Sequence, residues 1–247
     1  MIVYSNSASF GAPTKDHPVY SEYVANSLGA TLINNGIPAS PNRSIIRRSI
    51  RDLIELKEKE SDIIALIGIT YLFRTELWSP WIDAINNDGH FFPIRINQKK
   101  VDWSKNGFYT LVPNIHKFAD LESRDYYKQW LIHYQPEAEI TNLLTDMIMF
   151  SGWAEANNIK YRFFSTCELF PGDDKVGYNT PFLSSLKNEI LKNKNIINPW
   201  EFSFSVDALK RGFKPKDYDE YGIHGHPGEE AHRVFSQILL DSLSHGT

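Results

Sequence analysis

The run Asp62-Ile63-Ile64-Ala65-Leu66-Ile67 constrains this chain more than any other segment. An unbroken apolar run of that kind suits a strand covered on both faces, as in the interior of a parallel sheet. Two strand–helix units precede it. Ile2 to Tyr4 is short and apolar, stops at a small-residue turn, and reads as a first strand. Asp16 to Leu28 then places Val19, Tyr20, Tyr23, Val24, Ser27 and Leu28 on one face at helical spacing. Asp16 is its candidate N-cap, Pro18 sits in its first turn and Gly29 stops it. Ala30 to Asn34 reads as a second strand, and Pro41 and Asn42 open a helix striped by Ile45, Ile46, Ile50, Leu53 and Ile54. The order βαβαβ predicts a parallel sheet with helices on both faces, a three-layer α/β/α sandwich.

Beyond Gly68 the pattern loosens. Residues 75–118 mix Trp78, Trp81, Phe91, Phe92, Trp103, Phe108 and Tyr109 with Gly, Pro and Asn, which predicts an insertion packed over one end of the sheet. Two helices are expected between Leu121 and Asn157, broken near Pro136, then a fourth strand from Ile159 to Thr166. An irregular stretch, Pro171 to Pro181, leads to a short helix near Phe182 to Leu191 and a short fifth strand at Ile196 and Ile197. A last helix starts at Pro227 and buries Ala231, Val234, Phe235, Ile238 and Leu239. The 247 residues suit one domain, 1–247, carrying that insertion at about 75–118.

A net charge of −4 offers no general attraction to nucleic acid or to an anionic membrane. Arg43, Arg47, Arg48 and Arg51 recur at helical spacing and read as the solvated side of their helix. The single cysteine, Cys167, has no internal partner for a disulfide, and its setting suits a packed small residue at a strand end. No secretory signal pattern stands at the N-terminus, and no run reaches the roughly 18–20 apolar residues that cross a bilayer, so a soluble, cytoplasmic protein is expected. The oligomeric state is left open.

Sites in such sheets form at the carboxyl ends of strands. Ser7 stands three residues past the first expected strand, in a turn of small residues. A nucleophilic serine needs a turn of this kind, although serines in turns more often only hydrogen-bond the loop. At the other end His224, His226 and His232 fall within nine residues. Histidine moves protons near neutral pH, and His226, just before a helix led by Pro227, Glu229 and Glu230, is placed to act as a general base. His232 lies at the edge of the apolar stripe and reads as structural. A metal held by the three histidines matches no strong zinc signature and lacks a carboxylate, so no metal and no cofactor is expected.

These pieces resemble the SGNH (GDSL-like) hydrolase superfamily, whose motifs are short separated blocks. The first, Gly-Asp-Ser with a glycine soon after, corresponds to Ser5-Asn6-Ser7-Ala8-Ser9-Phe10-Gly11 and makes Ser7 the nucleophile by position. The second corresponds to Asn35-Gly36-Ile37-Pro38-Ala39-Ser40-Pro41-Asn42-Arg43, with Ala39 at the glycine whose N–H serves the oxyanion. The third, Gly-x-Asn-Asp, corresponds to Gly68-Ile69-Thr70-Tyr71, so Thr70 replaces an asparagine donor, and Arg74 adds positive charge nearby. The last, an aspartate shortly before His-Pro, corresponds to His226-Pro227, with Ile223 and His224 where an aspartate is usual.

The resemblance implies a flavodoxin-like sandwich and an esterase that cleaves a small-molecule or carbohydrate ester, O-acetyl sugars included. Ser7 would attack, His226 would take its proton, and the Ser7 and Ala39 N–H groups with the Thr70 hydroxyl would hold the oxyanion. Arg74 and His224 would face the substrate. The third triad member stays open between a backbone carbonyl and Asp217, Asp219 or Glu220. Trp78, Trp81 and Trp103 suit a sugar-stacking surface or, more commonly, packing. Transfer of the acyl group to another alcohol would use the same residues. The competing class is a protein of this fold that has lost catalysis and binds a ligand or partner.

Overall fold

The computed structural model describes residues 1–8, 11, 17–37, 40–72, 74–79, 90–91, 107–111, 128–169, 181–213 and 227–244, with backbone alone at 75–79, 90–91 and 107–111. Four strands, β1 (Ile2–Ser7), β2 (Thr31–Asn34), β3 (Ile63–Ile69) and the later β7 (Lys160–Ser165), form a parallel sheet in the order β2-β1-β3-β7. All seven residues of β3 are buried, as its unbroken apolar run requires. Between them lies a second sheet, in which β4 (Thr75–Ser79) pairs antiparallel and β5 (His90–Phe91) parallel with β6 (Gly107–Leu111).

Among the described residues six helices accompany the strands: α1 (Tyr20–Leu28), α2 (Asn42–Lys57), α3 (Pro136–Ala156), α4 (Pro181–Lys192), α5 (Phe204–Lys210) and α6 (Glu229–Ser244). A further helical stretch covers 128–132, ahead of the break at Pro136. The alternation of β7 shows how they divide. Phe163 points at Phe150 of α3, with ring centroids 5.1 Å apart, while its neighbour Phe164 points at Tyr20 of α1 and Phe235 of α6, at 5.3 and 5.1 Å. Helices α1 and α6 therefore cover one face, and α2 and α3 the other. The result is a three-layer α/β/α sandwich.

Several boundaries differ from expectation for local reasons. Helix α1 begins at Tyr20, not Asp16: Pro18 disfavours helical backbone before it, and Val19 is extended at φ −97°, ψ 166°. The Val19 N–H donates instead to Glu22 Oε1 at 3.2 Å. Gly29 ends the helix with φ +62°, and Ala30 N–H closes onto Ala25 O at 2.9 Å. Strand β1 runs on through Ser7, because Asn6 and Ser7 stay in register with Ile67 and Gly68 of β3. Ser7 is therefore a strand end and not a turn residue. The expected fifth strand shrinks to one parallel bridge, Phe163 to Ile196, since Asn198 turns the chain by accepting from Trp200 N–H at 3.0 Å.

One reading is reversed. Arg43 and Arg51 are exposed, but Arg48 is only 1 % exposed and lies inside, facing the sheet. Helix α5 was not anticipated; Ser203 caps it, accepting from Val206 N–H at 3.4 Å. No helix among the described residues is long and apolar enough to cross a membrane.

Candidate active site

Consecutive residues of β1 face opposite layers. Tyr4 and Asn6 meet α2, where Tyr4 Oη donates to Asp52 Oδ2 at 2.8 Å and Asn6 Nδ2 donates to Ser49 Oγ at 3.0 Å and Ile45 O at 3.1 Å. Ser7 meets α1. Its Oγ accepts from Tyr20 Oη at 3.1 Å and donates to Ala8 O at 3.3 Å. Burial raises the Tyr20 hydroxyl above its ordinary value, partly offset by the Ser7 bond, so this tyrosine holds its proton and serves as a donor.

Two glycines make room for that serine. A Cβ at Gly11 would stand 2.0 Å from Ser7 Oγ and 2.2 Å from Tyr20 Oη. A Cβ at Gly68 would stand 2.8 Å from Ser7 Cβ and 2.9 Å from Thr166 Cγ2. Gly11 is held there by its N–H to Ala8 O at 3.1 Å and by Asn34 Nδ2, which donates to Gly11 O at 3.0 Å. The backbone thus passes directly over Ser7, which is fully buried.

Thr70 leaves the carboxyl end of β3, on the strand adjacent to Ser7. Asn42, the first residue of α2, grips its backbone from both sides: Thr70 N–H donates to Asn42 Oδ1 at 2.6 Å and Asn42 Nδ2 donates to Thr70 O at 2.8 Å. Arg74 Nη1 donates to Thr70 Oγ1 at 3.0 Å. Arginine can only donate, so the threonine oxygen accepts there and its own hydrogen points elsewhere. Cys167 is fully buried beside Thr70, and burial pushes its thiol up to about 12, too high for a nucleophile near neutral pH.

The structure therefore brings Ser7, Thr70 and Arg74 to the carboxyl ends of two adjacent central strands. Ala39, His224 and His226 lie outside the described residues, as do Asp217, Asp219 and Glu220. Ile37 and Ser40 flank Ala39, and Ile37 N–H donates to Ser7 O at 3.1 Å. His232 is 2 % exposed and packs against Tyr20 and Phe204, its Nδ1 accepting from Tyr20 N–H at 3.3 Å. That bond places the proton of a neutral ring on Nε2. Among the described residues no group of three or more His, Cys, Asp or Glu is disposed to hold a metal ion.

Sequence reasoning did not single out Tyr20 or Arg48 for this site, and had Gly11 only as the glycine that ends the first block. Tyr20 carried only a helical-stripe signal, and the arginine carried a misleading surface signal. A cavity of about 90 Å³ is lined by Asn42 and Arg74, the two residues bonded to Thr70, together with Arg43, Glu139, Asn142 and Asp146.

No family model matches the chain, and no curated protein matches it. Solved structures do. The chain is similar to the psychrotrophic esterase EstA of Pseudoalteromonas sp., in a structure inhibited by monoethylphosphonate, at 12 % identity over 99 % of this chain and 97 % of that one, with a TM-score of 0.48. It is similar to the acetylxylan esterase Axe2 of Geobacillus stearothermophilus at 11 % identity, covering 98 % and 93 %, with a TM-score of 0.45. A GDSL-like lipase from Bacteroides thetaiotaomicron is similar at 10 % identity, covering 100 % and 88 %, with a TM-score of 0.41. The sandwich itself is defined by the chain's own strand order and helix placement.

Proposed function

We propose that this chain is a serine acyl hydrolase of the SGNH type, a single domain with an insertion at about 75–118, acting on a small-molecule or carbohydrate ester. The observation that carries this reading is that Ser7, the last residue of β1, and Thr70, the first residue after the adjacent β3, stand at the same end of the sheet, with the Thr70 hydroxyl keeping a hydrogen to give.

In this mechanism Ser7 Oγ attacks the ester carbonyl while His226 takes its proton. The carbonyl oxygen becomes an anion, held by the Ser7 and Ala39 N–H groups and by Thr70 Oγ1–H. Arg74, bonded to Thr70, orients that hydroxyl and adds positive charge; His224 is assigned to substrate binding. Collapse breaks the bond to the alcohol, which leaves with the proton from His226. Water, deprotonated by the same histidine, then releases the acid and restores Ser7. An alcohol in place of water would make the reaction an acyl transfer.

A fluorophosphonate probe tests the proposal, with labelling at Ser7 that disappears in Ser7→Ala and hydrolysis of 4-nitrophenyl acetate that disappears with it. The second reading, a binding protein that retains the fold without catalysis, is favoured by the complete burial of Ser7 beneath Gly11 and Tyr20. Absence of both labelling and hydrolysis would decide for it.

A further inference from the structure

Arg48 is the bulkiest fully enclosed side chain among the described residues. A guanidinium is costly to strip of water, and filling space at this point of α2 would need only an apolar side chain. What distinguishes the arginine is where its donors go. Nη1 donates to Asn35 O at 3.0 Å, and Nη2 donates to Asn6 Oδ1 at 3.0 Å and Ser40 Oγ at 3.2 Å. Asn6 immediately precedes the nucleophile. Asn35 and Ser40 bracket the segment that contains Ala39. One rigid fork therefore ties the nucleophile strand to both ends of the loop assigned the second oxyanion donor.

The backbone reinforces the same junction. Asn35 N–H donates to Ser5 O at 2.8 Å and Ile37 N–H to Ser7 O at 3.1 Å, which fixes the loop's start against β1. Beyond Ile37 the loop's far end is held by Arg48 through Ser40, whose N–H also closes onto Ile37 O at 3.2 Å. Asn6 itself cannot swing, because its Nδ2 is committed to Tyr4 Oη, Ser49 Oγ and Ile45 O.

We propose that Arg48 is a positioning residue of the active centre, holding Asn6, which precedes Ser7, in fixed register with Asn35 and Ser40 at the two ends of the segment assigned the second oxyanion donor. The inference rests on the serine-hydrolase reading. Oxyanion stabilisation depends steeply on donor placement, so loosening the loop weakens the transition state while substrate binding elsewhere is kept.

The test measures 4-nitrophenyl acetate turnover in the full chain carrying Arg48→Lys, Arg48→Met or Ser40→Ala, with kcat expressed per site titrated by a fluorophosphonate. Lysine keeps the charge but not the fork, so both Arg48 variants should lose about tenfold or more in kcat per titrated site. Their KM should stay within about twofold. Affinity for phenylboronic acid, which forms a tetrahedral adduct, should fall in parallel with kcat. Ser40→Ala removes one bond of the fork, keeps the helix intact, and should lose about threefold. A purely structural role would lower the number of titratable sites and leave turnover per site unchanged, and that result would overturn the inference alone. Should the Arg48 variants fail to fold, unchanged turnover per site in Ser40→Ala overturns it. A wild-type chain that neither labels nor hydrolyses overturns the serine-hydrolase reading and this inference together.

Discussion

Tyr20 binds the two ends of the chain at once: its Oη donates to Ser7 Oγ at 3.1 Å and its backbone N–H donates to His232 Nδ1 at 3.3 Å. In the proposed mechanism Ser7 attacks through a lone pair, and the first bond engages one of the two on its Oγ. Ser7 must also turn its own hydrogen from Ala8 O toward a base. Tyr20→Phe should therefore release the nucleophile and raise fluorophosphonate labelling by up to about fivefold, the equivalent of about 1 kcal/mol for one hydrogen bond. The same change should cost about 1 kcal/mol of stability, read by urea denaturation, because it deprives a buried oxygen of its donor. Slower labelling would show instead that the tyrosine holds Ser7 in its reactive rotamer.

The glycines over and beside Ser7 should separate chemistry from stability. Gly11→Ala puts a methyl 2.0 Å from Ser7 Oγ, with the adjoining Tyr20 hydroxyl at 2.2 Å. Gly11 belongs to a turn, so the chain can shift at small cost, but Ser7 and Tyr20 must part. Labelling should fall at least tenfold with a loss of about 1 kcal/mol or less. Gly68→Ala crowds Ser7 Cβ, Thr166 Cγ2 and Phe164 Cε2 in the middle of the sheet, and should cost about 1–3 kcal/mol as well as labelling. Equal losses of stability in the two variants would contradict this division.

Asn6 stands where the motif that the first block resembles has aspartate, and its hydrogen bonds run in one direction. Arg48 can only donate, so Asn6 Oδ1 faces it and Nδ2 must face the other way. There Nδ2 donates to Tyr4 Oη, which donates on to Asp52, and to Ser49 Oγ, which donates on to Ile45 O at 2.8 Å. An aspartate would gain an ion pair with Arg48 but would set an oxygen against Ile45 O and draw both hydroxyls off their acceptors. Asn6→Asp should lose about 1–3 kcal/mol at neutral pH, measured by urea denaturation. A variant as stable as the wild type would show that the direction of the network does not select asparagine.

The sandwich was legible because its signals are periodic. The apolar run of β3 is buried throughout, and the stripes of α1 and α2 follow the covered faces except at Ser27 and Ile54, which are exposed. Ser7 and Thr70 stood out by their places in short motifs, and Arg74 as a charge close to the second. Arg48 did not, because helical spacing reports which residues share a face but not that a polar residue on it has acceptors inside. Asn35 O, Asn6 Oδ1 and Ser40 Oγ come from three separate stretches and exist as a receptor only after folding. The end of β1 was misread for the same reason: Ser5, Asn6 and Ser7 look like a turn until the sheet and α2 satisfy them.

The cavity lined by Asn42 and Arg74 should leave a signature in the pH dependence of stability. Glu139 and Asp146 line it, and desolvation raises both carboxyls above their ordinary values of 4.5 and 3.8, outweighing the attraction of Arg43. Arg43 Nε lies 3.7 Å from Asp146 Oδ2 but is 65 % exposed, so solvent weakens the pair. A carboxyl raised in the folded state binds its proton more readily there than in the unfolded chain. Its burden is full at neutral pH and is relieved as pH falls through the raised folded values, reaching its limit below the ordinary ones. Glu139→Gln with Asp146→Asn should therefore be more stable than the wild type at pH 7 and lose that advantage as the pH drops to about 4. Urea denaturation of both proteins across that range measures the difference directly. A double variant less stable than the wild type at pH 7 would mean that the Arg43 pairing, not desolvation, governs the two carboxylates.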